Sequence, residues 1–296
     1  MIEIKNLSKS FGDKLVLNDL NVKIPDSKIF GLVGINGAGK STLLRIISGV
    51  FKSDEGFVLV DGEEVFENTT AKSKIFFLPD EPFYSNNTTA SNVCDMYLAF
   101  YNFDKKEYLD YINDFKLPLN KPLSTFSKGM KRQVFVSLAL AIKPKYLLLD
   151  EAFDGLDPLA RLKFKRSIIN LVEENKTTVI ISSHSLRELE DICDSYGLID
   201  GGVIKSTGDI QEAISSYHKY QVAFSEIVTK EDFDLEFVSY QQDRRVIKVV
   251  VREELDEFSK KIEKFNPLII DEINIDFEEL FIIEVESRGY IKWENY

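Results

Sequence analysis

The chain has 296 residues, enough for about two domains, and its 44% hydrophobic content fits a globular protein with a buried core. Lys and Arg number 37 against 49 Asp and Glu, and the net charge of −12 argues against DNA or RNA as a partner, because phosphate backbones need a basic surface. Two cysteines exclude a disulfide framework, and the longest apolar stretch, about nine residues, is far below the roughly 20 of a membrane span.

The first part of the chain alternates predicted strands with one glycine-rich loop. Strands are predicted at residues 2–4, 22–24, 29–33 and 57–60, with turns at 11–13 and 61–62. The apolar run at 29–33 is typical of a buried parallel strand and leads directly into the glycine-rich stretch. A helix is predicted to follow over residues 40–49.

Residues 88–143 are predicted to be helical throughout, with Ser127 capping the helix that carries the apolar residues 134–142. Apolar strands at 146–149 and 179–181 flank a helix that starts at Pro158. Strands that alternate with helices indicate a parallel α/β sheet.

The character of the chain changes after about residue 216. From Tyr217 to the end, 11 Lys and Arg face 19 Asp and Glu, so most of the net negative charge lies in this tail. Strand-like pieces at 246–251 and 268–275 alternate with helix-like pieces at 253–264 and 277–285. We therefore expect residues 216–296 to form a second, small α+β domain.

A phosphate-binding loop is the strongest motif. Residues 34–41 read Gly-Ile-Asn-Gly-Ala-Gly-Lys-Ser and match G-x-x-x-x-G-K-[ST] between an apolar strand and a helix. The glycines let backbone N–H groups surround a polyphosphate at a helix N-terminus. Lys40 is expected to reach the β- and γ-phosphates and Ser41 to bind Mg²⁺.

Two carboxylates follow the apolar strand at 146–149. Asp150 stands at the carboxyl end of that strand, where a carboxylate beside a phosphate loop holds the water shell of Mg²⁺. Glu151 comes next and is the predicted base for the attacking water.

With these motifs, residues 1–215 resemble the nucleotide-binding subunit of ATP-binding-cassette (ABC) transporters. Residues 126–133 read Phe-Ser-Lys-Gly-Met-Lys-Arg-Gln and are similar to the family's LSGGQ signature, with Ser127 lying 23 residues before Asp150. In the family this loop closes on ATP held by the other subunit, so the resemblance places Ser127, Lys128 and Gly129 at a γ-phosphate.

Three more segments fit the resemblance. Residues 155–157, Gly-Leu-Asp, resemble the D-loop of the dimer interface. His184 resembles the switch histidine that contacts the γ-phosphate, and Phe11 resembles the aromatic residue that stacks on adenine.

The resemblance implies a P-loop NTPase fold with an antiparallel β-subdomain, a RecA-like parallel sheet core and a helical signature subdomain, to which the tail adds the small C-terminal α+β domain. It implies Glu151 and His184 as catalytic residues and Ser41, Asp80 and Asp150 as Mg²⁺ ligands. The predicted ATP-binding residues are Phe11, Asn36, Gly37, Ala38, Gly39, Lys40, Ser41, Thr42, Ser127, Lys128 and Gly129.

Three positions depart from the family pattern. Asp80 stands where the Q-loop glutamine is expected, and Asp is one methylene shorter and carries a charge. Lys128 and Met130 replace residues of the signature, and the resulting Ser-x-Gly-Met pattern resembles bacterial exporter-type subunits. Because Glu151 and His184 are present, we expect active ATP hydrolysis.

A single cassette implies dimerisation, as a homo- or heterodimer, and a separate polytopic membrane subunit. The chain is then expected in the cytoplasm, peripheral on the inner face of the cell membrane, and the aromatic segment around Phe83 and Tyr84 is expected to touch the membrane subunit. The tail resembles that of exporters of drugs or antimicrobial peptides. An importer ATPase and a soluble or regulatory ATPase remain open alternatives, the last if Asp80 abolishes catalysis.

Overall fold

A computed structural model of the protein describes the backbone of residues 1–287 and the side chains of residues 1–283. It divides into two compact units, Met1–Thr207 and Gly208–Tyr296. The strands that start in the first unit are β1 (Ile2–Phe11), β2 (Lys14–Ile24), β3 (Ile29–Val33), β4 (Glu55–Val60), β5 (Glu63–Glu64), β6 (Ile75–Leu78), β7 (Tyr146–Asp150), β8 (Thr178–Ser182), β9 (Ser195–Asp200) and β10 (Val203–Asp209). Its helices are α1 (Lys40–Ile47), α2 (Thr69–Ser73), α3 (Ala90–Tyr97), α4 (Lys105–Asp114), α5 (Lys128–Ile142), α6 (Pro158–Asn175) and α7 (Leu186–Glu190).

One sheet of the first unit is antiparallel, with strand order β2-β1-β4-β5. Ile2 lies between Ile24 and Val60 of the neighbouring strands, and all three side chains are buried. The alternation of apolar and polar residues in β1 therefore places one face of this sheet on the core, as the sequence predicts.

The second sheet has strand order β10-β9-β3-β8-β7-β6, and the pairs from β9 to β6 are parallel. Every residue of β3, β7 and β8 is buried, which explains why these strands read as continuous apolar runs. The carboxyl ends of the three strands share one edge, and this edge carries the phosphate loop, Asp150 and the segment that ends in His184. The predicted fold class is confirmed.

Residues 88–143 are not one helical stretch, and this expectation needs correction. Thr89, Asp104 and Ser127 each accept a hydrogen bond from a backbone N–H of the next turn and so begin α3, α4 and α5 separately. Lys116, after α4, has a φ of 55°, which no helix continues through. Local capping thus divides a segment whose apolar spacing is helical along most of its length.

The second unit contains α8 (Ile210–Ser215), β11 (His218–Phe224), β12 (Ser239–Asp243), β13 (Val246–Val251), α9 (Leu255–Ile262), β14 (Pro267–Ile273) and α10 (Phe277–Ser287). Its strands form an antiparallel sheet in the order β12-β13-β11-β14. Tyr220 of β11 stacks on Phe258 of α9 at 4.5 Å between ring centroids, inside a cluster of buried apolar residues.

A separate cluster of Tyr217, Val250, Leu280 and Ile283 brings α10 against this sheet. The predicted tail strands and helices correspond to β13, α9, β14 and α10. The predicted boundary at residue 216 stays a prediction, and residues 288–296 of that predicted domain lie outside the described part of the chain.

Candidate nucleotide site

The phosphate loop is the turn between a buried strand and a helix N-terminus, since β3 ends at Val33 and α1 begins at Lys40. Gly39 has a φ of 109°, and a Cβ there would lie 2.6 Å from Leu17 Cδ2, so this position requires glycine. The loop lines a cleft of about 350 Å³. The lining residues are Lys14, Val16, Asn36, Gly37, Gly39, Lys40, Ser41, Thr42 and Glu151.

Lys40 places a buried ammonium group in this cleft. Its Nζ donates to the Gly34 carbonyl at 2.6 Å and lies 3.8 Å from Glu151 Oε1. Burial lowers the pKa of Lys40, and the nearby carboxylates of Glu151 and Asp150 oppose that shift. A cation that is costly to bury without an anion is well suited to a polyphosphate.

Asp150 is 1% exposed at the end of β7. Its Oδ1 accepts hydrogen bonds from Ser41 Oγ at 3.0 Å and from Ser182 Oγ at 2.8 Å. Its Oδ2 is buried and has no hydrogen-bond partner among the described residues. Buried carboxylate oxygens are rarely left unsatisfied, so the donor set of Asp150 and Ser41 fits a Mg²⁺ ion.

Glu151 and His184 form a pair across the ends of β7 and β8. His184 Nδ1 lies 2.9 Å from Glu151 Oε2, and the backbone N–H of His184 donates to the same oxygen at 3.3 Å. The backbone N–H of Glu151 in turn donates to Ser182 Oγ at 3.1 Å. The hydrogen bond to Glu151 raises the pKa of His184 above its ordinary value.

Asp154 joins this pair, and sequence reasoning missed it. Glu151, Asp154 and His184 each offer one ligand atom, and the three atoms lie within 4.8 Å of one another. Two ammonium groups lie nearby, Lys40 Nζ at 3.8 Å from Glu151 and Lys128 Nζ at 3.8 Å from Asp154. The position of Asp154 directly before the Gly-Leu-Asp segment was the signal available in the sequence.

The signature loop packs directly on the segment that contains Gly155. Ser127 Oγ accepts from the Met130 backbone N–H at 3.2 Å and so begins α5. A Cβ at Gly129 would lie 2.3 Å from the Gly155 carbonyl oxygen, so this close approach requires glycine. Asp157 caps α6 by accepting from the backbone N–H groups of Leu159 and Ala160, each at 3.0 Å.

Asp80 is held by an arginine of α5. Arg132 Nη2 donates to Asp80 Oδ1 at 2.6 Å, and Arg132 Nη1 donates to the Pro79 carbonyl at 3.0 Å. Asp80 does not line the phosphate-loop cleft but a separate groove of about 620 Å³. The groove residues are Asp80, Glu81, Pro82, Phe83, Tyr84, Asn86, Lys128, Lys131 and Arg132.

Comparison with known proteins identifies the family. Residues 17–154 match the profile of a family described as "ABC transporter". The chain is 30% identical to the ABC transporter ATP-binding protein YtrB of Bacillus subtilis, over 97% of this chain and 99% of YtrB. This chain belongs to the ABC transporter ATP-binding family. It is an ATPase subunit, and the resemblance inferred from the motifs is confirmed.

Two further relatives differ in what their names describe. The methionine import ATP-binding protein MetN of Clostridium acetobutylicum is 34% identical and covers 94% of this chain and 94% of its own length. The lantibiotic transport ATP-binding protein SrtF of Streptococcus pyogenes is 32% identical and covers 76% of this chain and 98% of its own length. A solved structure of an ATP-binding subunit of an ABC transporter is 26% identical, with a TM-score of 0.66 over 72% of this chain and 91% of that chain.

ABC ATPases bind ATP with Mg²⁺, dimerise and work with transmembrane subunits. In this ABC subunit, none of the helices within residues 1–287 has the length and apolar character to cross a membrane. Phe11 ends β1 with its ring 47% exposed and edge-on to Phe51 at 5.5 Å. The structure thus brings the loop residues, Asp150, Glu151 and His184 together, since Asp150 and His184 bind the cleft residues Ser41 and Glu151. Phe11 and Asp80 are not among the residues that line this cleft.

Proposed function

We propose that this chain powers export of a drug, peptide or similar amphipathic compound through a separate membrane subunit, at the inner face of the cell membrane. ATP hydrolysis in this proposal is supported by one observation. Lys40, Ser41, Asp150 and Glu151 converge at one edge of the parallel sheet. The similarity to a lantibiotic transport protein and the Met130 signature favour export.

The residues of the cleft have separate tasks. Lys40 and the loop N–H groups bind the β- and γ-phosphates, and Ser41 and Asp150 hold Mg²⁺, which neutralises polyphosphate charge when bound. Glu151 accepts a proton from the water that attacks the γ-phosphorus while the bond to the β-phosphate oxygen breaks. His184 orients the Glu151 carboxylate through the 2.9 Å contact with Oε2.

The signature loop at residues 127–129, called the Ser127 loop below, completes the site in a dimer. Ser127, Lys128 and Gly129 stand at the N-terminus of α5, where backbone N–H groups and the helix dipole favour an anion. We place the γ-phosphate of ATP bound to the partner subunit at this loop. Closure of two subunits on two nucleotides, and their release after hydrolysis, then drives the membrane subunit.

The groove beside Asp80 is the proposed docking site of the membrane subunit. Phe83 is 93% exposed, an unusual fraction for a large apolar side chain. Tyr84 beside it packs 6.3 Å from the ring of Phe135 and lies under the ammonium of Lys131 at 5.6 Å. An exposed apolar ring next to a packed aromatic side chain suits an amphipathic helix of a partner.

Docking is tested by co-purification from detergent-solubilised membranes. Phe83→Ala should remove the membrane subunit from the purified complex while ATP binding is retained. Ile227→Ala, which truncates another exposed apolar side chain, 65% exposed, in the second unit, is the matched control. Unchanged recovery of the membrane subunit with Phe83→Ala would refute the docking site.

The direction of transport is tested in inside-out membrane vesicles that contain the complex. An exporter accumulates its substrate in these vesicles when ATP is added. The first compounds to be tested as substrates are a panel of cell-envelope peptide antibiotics. Vesicles with the Glu151→Gln subunit are the control without turnover. ATP-driven loss of methionine from preloaded vesicles would instead favour the importer alternative. The similarity to MetN supports that alternative.

A further inference from the structure

A buried arginine connects the Q-loop position to the signature helix. Arg132 lies in the first turns of α5, and its side chain is only 1% exposed. Its guanidinium binds the Asp80 carboxylate at 2.6 Å and the Pro79 carbonyl at 3.0 Å. One side chain of α5 therefore holds both the backbone and the side chain of the segment that follows β6.

A buried arginine requires a charged or polar partner for its guanidinium. The guanidinium keeps its charge in proteins and presents several N–H donors in one plane. A buried cation that loses its anion is strongly unfavourable, whereas loss of the cation leaves Asp80, which is 40% exposed, free to be hydrated. Loss of Asp80 should therefore cost more stability than loss of Arg132, and a test can use this difference.

A second cation meets the same carboxylate. Lys128 Nζ lies 3.6 Å from Asp80 Oδ1 and 3.8 Å from Asp154 Oδ2. The Lys128 side chain is 58% exposed, so solvent weakens both of these contacts. Oδ1 of Asp80 thus faces two cations of the signature segment, and the buried Arg132 makes the shorter and better-shielded contact.

We propose that Arg132, Asp80 and the Pro79 carbonyl form a latch that holds the segment after β6 against the start of α5. The latch fixes the position of the Ser127 loop, so Arg132 and Asp80 are positioning residues for ATP turnover. This role replaces Mg²⁺ binding as the function of Asp80, whose Oδ1 already faces cations of α5 and which, unlike Ser41, lines the separate groove and not the phosphate-loop cleft. The proposal rests on the ATPase activity of the chain and is independent of the direction of transport.

The test uses the full chain with Asp80→Ala, Arg132→Met and the double variant. We expect kcat to fall about tenfold in each single variant and no further in the double variant, because the two residues act as one unit. The KM for ATP and the Mg²⁺ concentration for half-maximal activity should stay within about twofold of the wild-type values. Lys165→Gln, which removes a 2.6 Å ion pair with Asp191 elsewhere in the unit, should leave kcat unchanged.

Thermal melting without nucleotide separates positioning from packing. Asp80→Ala should melt lowest because it leaves Arg132 charged and buried, while Arg132→Met and the double variant should melt closer to the wild type. If the latch positions the Ser127 loop, kcat of the double variant stays low although its stability has returned. Should Asp80→Ala aggregate, the other two variants still decide the question.

Three results would overturn the latch. Recovery of kcat together with stability in the double variant would reduce the pair to a packing role. A large rise in the Mg²⁺ requirement with Asp80→Ala but not with Arg132→Met would make Asp80 a metal ligand. Wild-type kcat in Arg132→Met would show that turnover does not depend on the pair. Inactivity of the wild-type chain itself would instead count against the proposed hydrolytic site.

Discussion

Glu151 adopts a backbone conformation that few residues other than glycine accept, with a φ of 48°. Its backbone N–H donates to Ser182 Oγ, and its carboxylate lies between Lys40 and His184. Such strain persists only where surrounding contacts hold it in place, and it is common at functional sites. The turn directs the carboxylate into the phosphate-loop cleft.

Replacing Glu151 by Gln should lower the ATP turnover rate about 100-fold or more, because the amide cannot accept the proton of the attacking water. ATP binding should persist, since Lys40 and the loop N–H groups are unchanged. Phosphate release and nucleotide affinity measure the two effects. Glu173→Gln, at an exposed position of α6, controls for loss of one negative charge, and turnover near the wild-type rate in Glu151→Gln would exclude Glu151 as the base.

His184 should titrate above its ordinary pKa of 6.5, because its hydrogen bond to Glu151 favours the protonated ring. A raised folded-state pKa stabilises the fold fully below pH 6.5, and the gain is lost as the pH rises through the folded pKa. The melting temperature of the wild type relative to His184→Gln should therefore be highest at low pH.

Proton NMR measures this titration directly, because the chain has only two histidines. The Glu151→Gln variant should return the pKa of His184 towards 6.5. A His184 resonance that titrates at the same pH with and without the Glu151 carboxylate would contradict the pairing.

At the scale of elements, two helices of the signature subdomain begin with the same kind of cap. Thr89 begins α3 and Ser127 begins α5, each by a side-chain oxygen that accepts a backbone N–H three residues on. Ala at either position should lower the free energy of unfolding by about 1 kcal/mol. Only Ser127→Ala should also lower ATP turnover, since only this cap is placed at a γ-phosphate. Equal turnover in both variants, measured beside their melting curves, would remove Ser127 from the proposed site.

The parallel sheet explains why distant motifs meet. Because β3, β7 and β8 are neighbours and point the same way, their carboxyl ends lie side by side. The phosphate loop, the two carboxylates and the His184 segment each follow one of these strands. Predicting three apolar runs as parallel strands was enough to expect their carboxyl ends at one edge of the sheet, but only the strand order shows that the three ends are neighbours.

At the scale of the whole molecule, two units with separate buried clusters should unfold separately. Leu148 and Phe258 are each fully buried, one in each unit. Calorimetry should show two transitions. Leu148→Ala should lower the free energy of unfolding of the first unit and Phe258→Ala that of the second unit, each by about 3 kcal/mol or more. MgATP should raise the midpoint temperature only of the transition that Leu148→Ala destabilises, because the nucleotide binds the first unit. A single transition that both variants shift would show that the units unfold as one.

The sequence was less informative for the second unit. Tyr220, Val222 and Phe224 alternate with polar residues in β11, a signal of a half-buried strand that the sequence analysis overlooked. The pattern of β12, Ser-Tyr-Gln-Gln-Asp, is polar and carries no such signal. Its pairing with β13 comes from long-range packing, so no local pattern predicted it.

By itself the sequence determined the phosphate loop, the acidic strand end, the signature and the α/β class, because each depends on residues that are near neighbours in the chain. Only the tertiary structure decided that Asp80 pairs with Arg132, 52 residues away, that Asp154 joins Glu151 and His184, and that Phe83 stands exposed. The physical reason is that a motif describes local backbone geometry, whereas burial and charge pairing depend on which segments the fold brings together.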